Sequence, residues 1–274
     1  MIRHVLATMI MIVVAISALA APKPGEIPLP YPAVATSAVA GQYVTAPSPE
    51  FLANAFEKGA ASQTFIFYGA WMVAPGSAES KLKTLVNKEI TIPNSLIVPI
   101  RSGGSAAVGD IVLTTWRSGS GMQRAIVVPG GVATEPRVRY LDIAFDNPTG
   151  WGTREDTLLP NTFHRMSGTL EPGAIVAQRS GAAFKRAQVV HVQGEQVLLV
   201  GFAGRLAVAA RGDCVVLPLR PAVKAGDQVW APSIGSFARA TVERVEPAIG
   251  RVFVKLASGR TAAVAFGDLA LALQ

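Results

Sequence analysis

A short pattern recurs three times beyond residue 108, and each copy is too small to form more than a few strands. The clearest copy opens with Gly226-Asp227-Gln228-Val229-Trp230-Ala231 and continues with Phe237 to Val242. After a turn at Pro247 to Gly250 come Arg251 to Leu256, Ser258-Gly259, Thr261 to Phe266, and a closing Gly267-Asp268-Leu269. Ala238, Ala240 and Val242 alternate with Arg239, Thr241 and Glu243, and Val252, Val254 and Leu256 alternate with Arg251, Phe253 and Lys255. Period-two alternation over short runs predicts strands with one face on a core and the other in water. A second copy opens at Gly173 and carries Val176, Phe184, Arg186-Ala187 and Val189, closing at Asp213. A looser first copy opens at Gly109, carries Val112, Met122, Arg124-Ala125 and Val127, and closes at Asp156 after an inserted loop from Asn147 to Arg154. The opening glycines lie 64 and then 53 residues apart, and the closing aspartates 57 and then 55. Agreement of so many positions in order, three times, points to a repeated structural unit.

A unit of about 50 residues with four or five short strands has too little material for a sandwich, but it can curl on itself and remove its edges. The wider composition agrees. Half of the 274 residues are hydrophobic, only 16% are charged, and 26 Gly and 19 Pro supply turns. The copies resemble the SH3-like barrels of the Tudor and agenet type. Those barrels open with a Gly-x-x-Val-x-Ala strand, a loop, an aromatic residue and an Ala-x-Val strand. Gly226, Val229, Ala231, Phe237, Ala240 and Val242 match this shape, and the other two copies keep its skeleton. The resemblance implies a mainly β fold of three tandem small SH3-like (Tudor-like) barrels over 108–163, 170–220 and 221–274. Val189, Val190 and Val192, with Val197 to Val200, are apolar on both faces. Strands of that kind are covered on both sides, so the middle barrel is expected to pack against its neighbours or an outside partner, and the three to form one compact assembly.

The N-terminal part reads differently. Met1 to His4 and the apolar run Val5 to Leu19, with Ala18-Leu19-Ala20 after it, have the layout of a cleaved secretory signal over 1–20. Export to the periplasm or cell surface is the corresponding expectation, with no transmembrane segment left after cleavage. Residues 21–49 are Pro-rich and read as an extended leader. Ser48-Pro49 predicts a helix start, with Ser48 as cap. Thr64 to Val73 reads as strand, Ser77 to Glu89 as helix from Leu82, Leu85 and Val86, and Ile90 to Ile100 as strand. Residues 50–107 are therefore expected to form a short mixed α/β region.

Catalytic patterns do not emerge. Beyond the signal there are two histidines, His164 and His191, and one cysteine, Cys214, which excludes an internal disulfide. That set cannot supply the three or four protein ligands of zinc, and Cys214 in its apolar run reads as an inert thiol. No catalytic residue, metal or cofactor is assigned. Asp110 and Asp227 follow their glycines at strand starts, and Asp156, Asp213 and Asp268, at strand ends, can accept N–H bonds of the closing turn; their recurrence within the copies favours a structural role. Ser118 to Gly121 lacks the lysine of a phosphate loop and reads as a hairpin loop.

Net charge is +7, with +4 falling in 161–220 and +2 in 221–274. A bias of this size suits an anionic envelope surface, whereas nucleic acid would call for a dense basic stripe with interleaved aromatics. Methyl-reading Tudor domains use an aromatic cage. Tyr140, Phe145 and Trp151 are expected near Trp116, and Phe253 near Trp230, but no copy offers a full cage by position, and the rings read as core or seam. The candidate contacts are Trp116, Trp151, Lys185, Arg186, Trp230 and Phe237. The function expected is that of an exported, non-enzymatic binding or adaptor protein of the cell envelope, which holds a protein or polymer partner through barrel loops and seams. A structural subunit of an envelope assembly is the alternative, and an unrecognised enzyme comes last.

Overall fold

A computed structural model of the chain describes residues 22–101, 103–116, 119–143, 145 and 154–273. The fold is mainly β and entirely antiparallel in its strand pairing. Its strands fall into four successive meanders, one more than the sequence repeat suggests. The first comprises β1 (Tyr43–Pro47), β2 (Phe67–Ala74), β3 (Glu79–Thr84), β4 (Glu89–Pro93) and β5 (Val98–Pro99). The second comprises β6 (Ile111–Thr114), β7 (Gln123–Val127), β8 (Arg137–Tyr140), β9 (Glu155–Thr157) and β10 (His164–Arg165). In the third are β11 (Ile175–Ser180), β12 (Ala183–Gln193), β13 (Gln196–Val200), β14 (Leu206–Ala210) and β15 (Cys214–Val216). The fourth has β16 (Gln228–Ser233), β17 (Ser236–Glu246), β18 (Arg251–Leu256) and β19 (Thr261–Ala265).

In the first three meanders four strands pair in sequence, and the fifth returns to pair with the first. In the fourth, Ala270 takes the place of a returning strand by bridging to Trp230. The two outer strands of a meander do not pair with each other, so among the described residues no meander closes into a barrel. The third and fourth join through Lys185 and Ser236 into one nine-stranded sheet.

One set of hydrogen bonds identifies the four units as copies. Gly41, Gly109, Gly173 and Gly226 all sit at positive φ, between 79° and 91°. Each N–H donates at 2.8 Å to a carbonyl on the second strand, that of Met72, Val127, Val189 or Val242. The N–H of that same residue donates back to the carbonyl after the glycine, at 2.8–2.9 Å. A left-handed residue is what lets the chain turn into the strand while keeping this pair, hence glycine. Further along, Val44 faces Ala70, Val112 faces Ala125, Val176 faces Ala187, and Val229 faces Ala240. All eight are buried. A valine opposite an alanine leaves room for the core to cross this narrow pair, so the small residue has a packing reason.

Gly41, Val44 and Ala46 thus repeat the Gly-x-x-Val-x-Ala opening within the stretch read as leader, and β1 is a central strand of its sheet. Two features disguise this copy. Helix α1 (Pro49–Lys58) is inserted between β1 and β2, and Gly69 stands where the others have arginine before the alanine. The helix does start after Ser48 with Pro49 at its first position, although the Ser48 side chain makes no cap.

The helix expected over Ser77–Glu89 does not form. Ser80 and Leu82 point inward while Lys81 points out, which is strand alternation, and the chain reverses at Asn87 (φ 64°) into β4. Leu85 and Val86 matched Leu82 at helical spacing but sit exposed on that turn, so cross-strand pairing decides the structure here. Residues 50–107 thus hold most of α1 and the four strands β2 to β5.

The leader is extended but tied down. Ile27, Tyr31, Val34 and Ala38 are buried. Buried Asn94 donates to the Val34 carbonyl at 2.9 Å and accepts from Ser80, while the Tyr31 hydroxyl lies 2.8 Å from His191 Nδ1 on β12. One hydrophobic core runs from Ile27 through Val44, Ile126 and Val189 to Val252. Of the valine-rich stretch expected to be covered on both faces, Val189, Val190 and Val197 to Leu199 are buried, whereas Val192 and Val200 are only half-buried.

The last three meanders are clamped by charge. Arg124, fully buried, is 2.5 Å from Asp142 and 3.1 Å from Asp268, and donates to the Phe266 carbonyl at 3.1 Å. Arg186, the equivalent arginine of the third meander, reaches Asp268 at 2.8 Å. Burial alone would push the Arg124 guanidinium down, but the two carboxylates hold it above its ordinary value. Gly267 is required beside it, because a Cβ there would stand 2.3 Å from Arg124 Nη1. Asp268, read as a turn acceptor, therefore serves to join meanders. The buried Arg251 adds three bonds from its Nη2 to the carbonyls of Tyr140, Leu141 and Ile143.

Breaking a buried ion pair leaves an uncompensated charge and costs about 3–5 kcal/mol, against at most about 1 kcal/mol for an exposed pair. Urea unfolding is expected to show a loss of that larger size for Arg124→Met and the smaller one for Arg137→Met, whose partner Glu155 lies at the surface.

Candidate functional site

The first and second meanders meet along a seam built from backbone. Gly121 N–H donates to the Phe67 carbonyl at 2.7 Å, and Gly69 N–H donates to the Gly119 carbonyl at 2.6 Å. The loop between β6 and β7 thereby adds itself to the start of β2, which the sequence could show only as a hairpin loop. Leu85, from the turn after β3, leans over Gly119, where a Cβ would stand 2.3 Å from its Cδ1.

Two hollows flank this contact and share Leu85 and Gly119 as their common wall. One, of about 280 Å³, lies among Pro47, Pro49, Tyr68, Val86 and Ile90. The other, of about 450 Å³, is lined by Tyr43, Trp71, Trp116, Tyr140, Leu158 and Leu159. Tyr43 packs edge-on to Trp71 with centroids 5.0 Å apart, and its hydroxyl lies 2.9 Å from Thr115 Oγ1. That bond fixes the ring against the floor while Trp71 remains 38% exposed at the rim. Trp116 is half-buried, and its indole N–H is shielded from water with no hydrogen-bond partner among the described residues. A buried donor left unpaired carries a cost that a ligand acceptor can remove. Around the rim Tyr68, Leu85, Val86 and Leu159 are also exposed, Val86 at 82%. The result is an apolar, aromatic trough whose one lining carboxylate in the larger hollow is Asp156.

The candidate contacts drawn from sequence divide between two seams. Trp116 lies in this trough, with Tyr140 beside it. Lys185, Arg186, Trp230 and Phe237 come together where the third meander meets the fourth. There Phe184, Trp230 and Phe237 pack over a small core of Ile175, Ala177, Leu217 and Ala270. Arg239 covers Trp230 at 4.8 Å from its ring centre, and Arg186 is committed to Asp268. Phe253 packs edge-on to Phe145, 5.4 Å between centroids, and not beside Trp230. Trp151 lies outside the described residues. Trp71 and Tyr43 were missed because they belong to the disguised first copy. The opening at Gly41 to Ala46 was the available signal.

The isolated reactive groups are quiet. Burial and neighbouring Asp213 push the Cys214 thiol up to about 11, which leaves it protonated at neutral pH. His191 is lowered by burial, with Nδ1 paired to Tyr31. His164 is lowered by burial and by Arg101, partly offset by Glu171. Among the described residues, no three of His, Cys, Asp and Glu gather as metal ligands do. No protein-family model matches the chain, and no curated protein matches it either.

Both histidines are held neutral by the fold, so the unfolded chain takes up their protons first as pH falls. Stability from this source is complete above the ordinary histidine value of 6.5, declines below it, and stops declining once the folded-state values are passed. Urea unfolding at pH 8 and pH 5.5 is expected to show that decline, and His164→Leu combined with His191→Gln to flatten it.

Proposed function

We propose that this chain is an exported, non-catalytic adaptor of the cell envelope, built on SH3-like units and holding a protein or polymer partner in a seam between them. The observation that carries this reading is the trough between the first two meanders. It presents Tyr68, Trp71, Leu85, Val86 and Leu159 to solvent side by side with two hollows, and monomeric proteins seldom leave apolar surface of that kind uncovered. Aromatic rings on a rigid sheet give large contact area at small entropic cost.

The resemblance to Tudor-type barrels is supported by the strand order. Four strands run in sequence and a short fifth returns to the first, with a 3-10 turn ahead of it at Asn94–Leu96 and Arg211–Asp213. On this reading each of the four meanders corresponds to one small barrel left partly open, the fourth with the Trp230–Ala270 bridge in place of its last strand. In place of a methyl-reading cage, the rings line a seam between units. Export rests on the pattern of residues 1–20, and the periplasm or cell surface is the compartment it implies. No helix among the described residues is long and apolar enough to cross a membrane.

Crosslinking in the native envelope followed by mass spectrometry tests the adaptor reading. Crosslinks from the rim of the trough to one other protein or to an envelope polymer are expected. Val86→Asp changes an exposed turn residue, so stability should shift by no more than about 0.5 kcal/mol while partner capture falls at least about tenfold. Recovery of nothing but the chain itself would instead favour a structural subunit.

A further inference from the structure

A second hollow, polar and remote in composition from the trough, lies where the junctions between meanders converge. It measures about 720 Å³ and is lined by Arg101, Arg165 and Arg220, with Asp110, Ser167 and Leu219. It shares no lining residue with either part of the trough. Each arginine comes from a different junction. Arg101 follows β5, Arg165 ends β10, and Arg220 follows β15 on the way to β16. Residues so far apart in sequence meet here only because the four meanders pack as they do.

The charges do not cancel. Asp110 is the single carboxylate of the lining and is shared: its Oδ2 accepts the Ala107 N–H at 2.9 Å and lies 3.7 Å from Arg165 Nη1. The equivalent aspartate of the fourth unit, Asp227, accepts the Lys224 N–H through the same oxygen at 2.9 Å, so that bond belongs to the fold and not to the arginine. Arg220 donates from Nη2 to the Gly109 carbonyl, a neutral acceptor. Arg101 is exposed and has no hydrogen-bond or ion-pair partner among the described residues. Three guanidinium groups thus face one hollow with one carboxylate between them. Like charges within a Debye length of about 8 Å repel unless a counter-ion joins them. Ile111, Met166 and Leu219 supply apolar wall on which such attraction is less screened by water.

We infer that this hollow is a phosphate-binding site for a phosphorylated sugar or a phosphate-bearing headgroup. A phosphate at neutral pH carries about 1.5 to 2 negative charges and three acceptor oxygens, which matches the excess of arginine over aspartate. The planar fork of arginine fits phosphate oxygens two at a time, and three different junctions each supply one. The volume exceeds that of a bare phosphate and falls in the range of small-molecule sites. The site stands independently of the trough and of the adaptor reading.

Isothermal titration of the full chain with glucose 1-phosphate, with inorganic phosphate, and with glucose as the uncharged control tests this. Vesicles of phosphatidylcholine with and without phosphatidic acid form the lipid arm, read by co-sedimentation. Binding of at least one phosphate probe, absent for glucose and for neutral vesicles, is expected, and it should weaken with added salt. A response to the sugar phosphate identifies a soluble or polymer-borne source, and a response to phosphatidic acid alone identifies a headgroup. Arg101→Gln, which breaks no bond of the fold, should weaken that binding about tenfold with unchanged thermal unfolding. Asp110→Asn keeps an acceptor for Ala107 and should tighten it severalfold. No binding of any phosphate probe below about 10 mM, or equal binding by wild type and Arg101→Gln, overturns the site.

Discussion

The arrangement of the molecule depends on one buried cation. Arg124 sits inside the second meander with no exposed surface, yet both of its carboxylates are needed to keep it there, and one of them comes from the far end of the chain. A guanidinium of this kind is tolerated only where acceptors surround it. Asp142, Asp268 and the Phe266 carbonyl fill that role, and Arg186 shares Asp268 from a third direction. Burial would raise the Asp142 carboxyl, but the arginines beside it hold it below the ordinary carboxylate range. Such a cluster adds little net stability over an apolar contact of the same size. What it fixes is geometry, since only one mutual placement of the second, third and fourth meanders satisfies every member. The seam between the third and fourth meanders inherits its shape from that placement, while backbone bonds at Gly69 and Gly121 set the one between the first and second.

Much of the fold could be read in the residues because it repeats. The positions recognised in the last three copies, glycine, valine, alanine and a second valine, are those that hold the paired hydrogen bonds and the narrow Val–Ala crossing. They recur for a local reason, so sequence exposes them. The first copy kept the same positions at Gly41, Val44 and Ala70, with Met72 in place of the second valine, but an inserted helix separates the two halves by more than 20 residues. Periodicity fails across an insertion even when the pairing survives it. The false helix over Ser77–Glu89 has the opposite origin. There three apolar residues fell at helical spacing, although only Leu82 is used by the core.

The sites were less legible, since they arise between copies. Lys185, Arg186, Trp230 and Phe237 were chosen singly for ring or charge, and the structure gathers them at one seam, where Arg186 and Trp230 already have intramolecular partners. Trp116 was chosen on the same weak ground and does line the trough, but its companions Tyr43 and Trp71 are contributed by a unit the sequence had not shown. The convergence of Arg101, Arg165 and Arg220 has no local signature at all. Each is an ordinary junction residue until three junctions are folded against one another.

The strap formed by the leader has a further consequence for the order of events in assembly. Tyr31 leaves the ribosome about 160 residues ahead of the histidine it will meet, and a polypeptide emerges at roughly 5–20 residues per second. For many seconds the segment from Ile27 to Ala38 has only part of its eventual burial site, with Val34 able to reach Asn94 but Tyr31 without its partner. Contacts of such long sequence separation form late, after the intervening loop entropy has been overcome. The leader is therefore stitched down only once β12 has emerged. Until the third meander exists, the N-terminal end stays open and accessible to whatever handles the nascent chain.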